Sequence, residues 1–435
     1  MLNAPIFLDG KKWNEFPILE RITLFLVIVT PVFFLSVKHW ISNVSVLAAI
    51  LSIAVIYIRR SKIHLNQIPN IKTIALCFSV YALGILISQV GRQTFVTREY
   101  LDQTRWLIGL PCFVILYACK VNYVYVLERL LPVSIFSAWI GVNFFPSDAW
   151  GGRQTISFID PLTFGHLNLT LGLMCFVAAM FDVARKKVTL NTALKIVAFA
   201  VGVLLSVKSG SRTGWLAVPL VLCIVFYQIY KPGPVKLLLM VLAVFTSLAL
   251  FVGLNADMTF RFNLMADEIL TYPWRGGLAP DTSVGMRVTF YRLGFYYFSQ
   301  SPWFGWGNRG YADIKDAAEL LSFSSQSTRD FAFGALFHSD LTTQSVRYGV
   351  FGLLSVLIVF LIPLRLFVRA LRTGGDLKKV ACMGLTFTLC QLGSSLSTEV
   401  YDSKGVTTFT AVILAGLLAE IMFRQVQHGH PRRSS

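Results

Sequence analysis

LNADMTFRFNLMADEILTYPWRGGLAPDTSVGMRVTFYRLGFYYFSQSPWFGWGNRGYADIKDAAELLSFSSQSTRDFAFGALFHSDL, residues 254–341, decides the reading of the whole chain. It is the only long segment without an apolar run of membrane-spanning length. It carries Arg261, Arg275, Arg287, Arg292, Arg309, Arg329 and, near its end, His338. The sequence on either side reads as a series of apolar helices. A polar, arginine-rich segment held by a membrane bundle points to a site for an anionic, membrane-borne substrate.

Outward from that segment, the composition sets the class. The 435 residues are 55% hydrophobic and only 14% charged, with a mean hydropathy of +0.63, which is too apolar for a soluble domain. The chain is therefore expected to be an all-α, polytopic transmembrane helical bundle. Its first twenty residues include Lys11, Lys12, Trp13, Glu15 and Glu20 and offer no small-residue cleavage site, so the first span is expected to be retained. The seven cysteines (Cys77, Cys112, Cys119, Cys175, Cys223, Cys382, Cys390) fall in or beside apolar runs with no CxxC pair. They read as packing residues, with no disulfide framework or zinc site indicated.

A bilayer core takes about 20 apolar residues per helix, and the sequence supplies about twelve such spans. They lie near 19–37, 40–58, 71–90, 104–119, 123–144, 164–184, 189–207, 213–230, 235–253, 342–364, 379–397 and 404–423. The fourth is short and holds Pro111, and the eighth holds Pro219. This divides the chain into residues 1–253 with nine spans, a large helical loop over 254–341, and residues 342–435 with three spans and a tail. With a cytoplasmic N-terminus, the tight basic clusters Arg59-Arg60, Arg185-Lys186-Lys187 and Lys378-Lys379 all fall inside, as do Arg424, Arg432 and Arg433. Both termini are then cytoplasmic and the long loop is external. Arg92, Arg98, Arg105, Arg153, Lys208 and Arg212 also land outside, against the positive-inside trend. Such charges are candidates for work at the membrane surface, with anionic lipid headgroups as the alternative partner. The net charge of +17 is thus part topology and part anion site, and nothing calls for nucleic acid.

Three external stretches could carry chemistry. Lys208-Ser-Gly-Ser-Arg-Thr-Gly-Trp215 joins the seventh and eighth spans. Its serines and Thr213 can cap the next helix, and Arg212 beside that helix start makes a reasonable phosphate cradle. Trp150-Gly-Gly-Arg153 can fold a second guanidinium towards the membrane, and His166 after it reads as a polar packing residue. Within the long loop, residues 285–297 read as an amphipathic helix that ends at Ser301-Pro302, followed by the turn Gly305-Trp-Gly307-Asn-Arg-Gly310. At 100° per residue Arg287 shares a face with Phe290, Gly294 and Tyr297, whereas Arg292 is rotated about 140° away. An arginine on an apolar stripe needs a buried anion or a carboxylate such as Asp267 or Glu268.

Phe337-His338-Ser339-Asp340 leads into the tenth span. Ser339 or Asp340 can cap that helix, which places the imidazole at the positive end of a helix dipole. That field favours the neutral ring a general base requires. Asp313, Asp316 and Glu319 stand at a spacing that a solvated helix face also shows, and the external segments hold no metal-binding motif. Glu399 and Asp402, between the last two spans, are expected to orient an arginine or contact a sugar hydroxyl.

Taken in order, the many spans, Ser-Gly-Ser-Arg212-Thr-Gly before a span, Arg287 followed by Ser-Pro302-Trp-Phe-Gly305-Trp-Gly307, and His338-Ser before the next span resemble the bacterial O-antigen ligase/polymerase superfamily. The likeness is greatest to the O-antigen ligases of lipopolysaccharide assembly. The resemblance implies an inverting, metal-independent glycosyltransferase of the GT-C type in the bacterial inner membrane, with no cofactor. Its donor would be undecaprenyl-diphosphate-linked O-antigen, its acceptor the lipid A–core oligosaccharide, and its site periplasmic. The family's essential loop arginine then falls on Arg287 and its loop histidine on His338. Arg212, Arg153, Arg292 and Lys208 are our candidates for phosphate contacts. O-antigen polymerases and protein O-oligosaccharyltransferases share the donor, and a lipid-linked glycan flippase is the reading from another class.

Overall fold

The computed structural model describes residues 6–100, 103–147, 150–254, 256–308, 310–335 and 337–429. Arg309, Arg432 and Arg433 lie outside the described residues. Among those described, sixteen α-helices and no strand are present. They are α1 (Ile18–Val29), α2 (Trp40–Ile58), α3 (Ile71–Arg92), α4 (Gly109–Ala118), α5 (Tyr123–Phe144), α6 (Pro161–Ala184), α7 (Leu190–Lys208), α8 (Ala217–Tyr230) and α9 (Pro234–Gly253). After them come α10 (Ala256–Leu270), α11 (Ser283–Gln300), α12 (Ala318–Leu321), α13 (Gln326–Ala335), α14 (Asp340–Thr373), α15 (Leu377–Ser395) and α16 (Lys404–Gly429).

Each of the twelve expected spans coincides with a helix, α1 to α9 and α14 to α16. Seven of these are long and apolar enough to cross a bilayer: α2, α3, α5, α6, α7, α14 and α16. Four of the other five fall short for visible reasons, and α9 has 20 residues. α1 has only 12 residues before a run of turns. α4 has 10, and a 3₁₀ stretch from Gln103 to Ile108 lengthens its start. α8 has 14, and α15 carries Lys378, Lys379, Gln391 and a serine-rich end.

The bundle is built around α6 and α16, whose apolar windows are 72% and 94% buried, whereas those of α2 and α7 are 33% buried. α6 packs on α7, α15 and α5, and α16 on α4, α15 and α2. The α6–α7 crossing is close because Gly202 has no side chain there, and a Cβ would stand 2.6 Å from the Asn168 carbonyl oxygen. With no water to drive helices together in lipid, such backbone approach is a main source of packing contact.

The long α14 is broken. Gly349 has φ 64° and ψ −147° inside it, which would leave carbonyls without helical partners. The Ser301–Gly307 turn supplies them: Trp306 N–H donates to the Val346 carbonyl at 2.9 Å and Gly307 N–H to that of Arg347 at 2.8 Å. Val350 N–H in turn donates to the Pro302 carbonyl at 2.8 Å. Gly305 and Gly349 let the two backbones touch, since a Cβ on either would lie 2.5 Å or less from the opposing main chain. The glycine-tryptophan turn thus completes a break in a membrane helix, the condition under which irregular backbone is tolerated at such depth.

The segment between α9 and α14 has its own small core, comprising Phe290, Leu293, Tyr297, Tyr311, Leu320, Ala332, Phe337 and Val346. It rests on the same end of the bundle as the other odd connections. Tyr291 bonds the Leu396 carbonyl, Asn308 N–H donates to Glu99 at 3.2 Å, and Gln103 donates to Asp402 at 2.9 Å. At the far end, Lys195 and Lys379 both pair with Glu128 and Asp182. That cluster ties α5, α6, α7 and α15 together.

Candidate functional site

His338 occupies the link between α13 and α14 with a left-handed backbone, φ 50°. A non-glycine residue in that region is held there by its surroundings, and such positions concentrate at functional sites. Its ring stands between Phe290 of α11 and Phe331 of α13, with centroids 5.6 and 5.5 Å away. Nδ1 lies 3.4 Å from Glu399 Oε2. The other carboxylate oxygen of Glu399 accepts from the Thr343 hydroxyl at 3.1 Å, and that hydroxyl accepts the Phe337 N–H at 3.3 Å. Nδ1 makes no hydrogen bond as the ring stands, so Glu399 lies at ion-pair distance from the imidazole while it holds the backbone that enters it through Thr343.

The turn that carries Glu399 is itself fixed from α14. Asp340 accepts the N–H groups of Val400 at 3.0 Å and Tyr401 at 3.1 Å, while Arg347 pairs with Asp402. This corrects the capping expectation. Ser339 holds the N-cap position of α14 without a side-chain cap bond, because the Asp340 carboxylate finds two donors on the neighbouring turn instead.

Arg287 sits on α11 with Phe290, Gly294 and Tyr297 as its buried neighbours along one face, as the helical spacing predicts. Its Nη1 donates to the Ser283 hydroxyl at 3.0 Å and more weakly to the Ser283 carbonyl, and its buried Nε has no partner. Burial pushes its pKa down. The Arg212 and Arg153 guanidinium groups push it further, and Glu268 and Glu399 offset this only in part. Glu268 meanwhile accepts the Val284 N–H at 2.8 Å, at the start of α11. A guanidinium disfavoured by burial and by two like charges lacks a full counter-charge, and a bound anion would supply one.

The two other arginines arrive on anchored loops. Ser211 donates to the Leu162 carbonyl of α6 at 3.0 Å and shares a 2.7 Å hydrogen bond with Thr213, which fixes the turn around Arg212. These hydroxyls do not cap α8 as expected. α8 starts only at Ala217, behind Leu216, with no side-chain cap. Gln154 N–H donates to the Lys208 carbonyl at 3.1 Å, so the loop bearing the exposed Arg153 is tied to the end of α7. The Lys208 side chain is exposed at that junction.

Other candidates take up other places. Arg292 lies 4.0 Å over the Phe323 ring and donates to the Tyr272 hydroxyl at 3.2 Å, within the loop's own packing. Asp402 holds Arg347 and Gln103. His166 is buried in α6, 3.2 Å from the Leu162 carbonyl. Asp313, Asp316 and Glu319 do not share one helix: the first lies in a 3₁₀ turn, Glu319 begins α12, and Asp316 between them pairs with Arg329 at 2.9 Å. Sequence reasoning missed Thr343 and Phe331 as walls of the histidine. A threonine one turn into a span and a phenylalanine in a short helix carry no local signal.

The arrangement is an imidazole 3.4 Å from a carboxylate that also acts on Arg287, and Arg287 in turn feels guanidinium groups from two other segments. Such a set can bind a polyanion and accept a proton next to it. Residues 196–357, which include Lys208, Arg212, Arg287, Arg292 and His338, match the family model described as O-antigen ligase. The chain is also 21% identical over 405 residues to an uncharacterized protein of Haemophilus influenzae, covering 91% of this chain and 98% of that one.

Proposed function

We propose, for a chain that its residues 196–357 make a member of the O-antigen ligase superfamily, that it is the ligase itself. It would transfer a glycan from undecaprenyl diphosphate to a sugar hydroxyl of lipid A–core at the periplasmic face of the inner membrane. The observation that carries this reading is Arg287, its charge disfavoured by burial and by Arg212 and Arg153, on the helix that also supplies Phe290 to the ring of His338. A diphosphate supplies the missing negative charge.

The acceptor oxygen attacks the anomeric carbon from the face opposite the diphosphate, and its proton passes to His338 Nε2. The bond from that carbon to the phosphate oxygen breaks, and the electron pair leaves with the diphosphate. One displacement inverts the anomeric configuration. Charge grows on the leaving diphosphate as the bond breaks, where fixed guanidinium groups stabilise it most. They take the part a divalent ion plays elsewhere, so transfer is expected to be metal-independent. Both substrates are lipid-anchored, which suits a site at the bundle's end.

The test is a gel-mobility assay of the purified protein with undecaprenyl-diphosphate glycan and rough lipopolysaccharide, with and without chelator. A chelator-insensitive shift of the lipopolysaccharide band, abolished in His338→Ala and Arg287→Ala while both variants remain folded, is the expected result. Growth of carrier-linked glycan without that shift would make the protein a polymerase. Full activity in either variant would remove that residue from the reaction.

A further inference from the structure

We propose that Glu399 is the positioning partner of His338, holding the Nδ1–H tautomer so that Nε2 faces the acceptor, and stabilising the imidazolium that forms. This rests on the reading of His338 as the base. The carboxylate lies 3.4 Å from Nδ1, an ion-pair distance, with its side chain 8% exposed against 23% for the histidine. Its second oxygen is engaged by Thr343, and Asp340 clamps the backbone just after it through Val400 and Tyr401. Glu399 therefore cannot swing towards solvent without breaking these contacts. In an imidazole the two nitrogens are distinct, and the group on one decides which form the other takes.

The charged groups around the ring sort by element. Arg287 comes from α11, Glu268 from α10, Arg212 and Arg153 from the loops before α8 and α6, and Asp340 and Arg347 from α14. On α13, Arg329 is paired with Asp316 and Asp330 with Lys315. On the last turn, Asp402 is paired with Arg347, which leaves Glu399 as the carboxylate at the imidazole. During transfer the proton leaves the acceptor hydroxyl for Nε2, while Nδ1 keeps its own.

The experiment is the pH profile of kcat in wild type, Glu399→Gln and Glu399→Asp, with Glu399→Ala supplying the same reading should the glutamine variant not accumulate. The base must be neutral to act, so kcat rises with pH through the histidine's titration. Removing the carboxylate removes a negative charge beside the imidazole, so in E399Q this limb should move to lower pH. Its plateau should fall about 100-fold through the lost tautomer and orientation. E399D, which keeps the charge, should retain the wild-type limb and recover most of the rate. A fall in kcat with the limb unmoved in E399Q, and no recovery in E399D, would reduce Glu399 to a structural residue and overturn the proposal. An unchanged E399Q beside an inactive His338→Ala would sink the pairing alone, whereas an active His338→Ala would sink the underlying assignment of the base.

Discussion

Arg287 is a guanidinium whose surroundings work against its charge, and that sets its sensitivity to substitution. Lysine at 287 would keep the charge but lose the planar fork that grips two phosphate oxygens at once. It would also meet the burial and the like charges of Arg212 and Arg153 that already lower the arginine. An ammonium starts from a lower pKa, so the same pressures bring its neutral form closer to physiological pH. Arg287→Lys is therefore expected to lower kcat/KM about 100-fold at neutral pH, with a further loss as pH rises that the wild type does not show. Equal alkaline profiles for the two proteins would contradict the account of the site. Arg287 and His338 were legible in the sequence because each breaks a local pattern, one on an apolar stripe and the other just before a span. Glu399 was noticed as a charge at an external turn, but nothing at that position tells that it reaches a histidine 61 residues earlier, 399 − 338. Helical spacing already set Arg292 apart from Arg287, about 140° around the helix, and the packing against Phe323 and Tyr272 shows where it goes instead.

Among the elements, the broken helix α14 is what couples the loop to the membrane bundle. Its start fixes His338, Asp340 and Thr343, and its break at Gly349 receives the Ser301–Gly307 turn that closes α11. Alanine at 349 would have to hold φ 64° with a Cβ 2.3 Å from the Trp303 carbonyl oxygen. That strain together with the clash should cost about 2 kcal/mol or more. Gly349→Ala is accordingly expected to lower the thermal unfolding midpoint in detergent and to lose transfer activity with it, although no substrate atom is near. Wild-type unfolding and activity in that variant would show that the turn and the break are not coupled. The apolar runs made all twelve bundle helices legible, since hydropathy registers a bilayer-length stretch wherever it occurs. The break was not legible, because a lone glycine in a span is common and its unusual backbone depends on a partner turn some 40 residues earlier, 349 − 305 = 44. Nor did hydropathy show that α1 and α8 stop short, since turns and 3₁₀ stretches can be as apolar as helix.

Across the whole molecule, ion pairs occur at both ends of the bundle, but a group of mutually repelling guanidinium groups is found at the loop end. At one end several cations are paired: Lys195, fully buried, is held by Glu128 at 3.0 Å and by Asp182, Arg185 meets Asp376 at 3.2 Å, and Arg424 meets Glu420 at 2.8 Å. At the other, Arg287 is disfavoured by burial and by the guanidinium groups of Arg212 and Arg153, which Glu268 and Glu399 offset only in part. The tight basic clusters at one end and the arginine group at the other suit a cytoplasmic face and a periplasmic face respectively. Cysteine accessibility tests that orientation directly. The native cysteines are suited to it, six being buried and Cys223 half-buried on α8. Ser322→Cys would report the loop end from an exposed turn before α13. Val188→Cys would report the opposite end from the α6–α7 connection, where the native residue is 66% exposed, without altering the Arg185-Lys186-Lys187 cluster. In intact cells a maleimide that cannot cross the inner membrane should label Ser322→Cys at once, and Val188→Cys only after permeabilisation. The reverse pattern would place the arginines in the cytoplasm, away from a lipid A–core acceptor at the periplasmic face, and the proposed ligase reaction would fall with it.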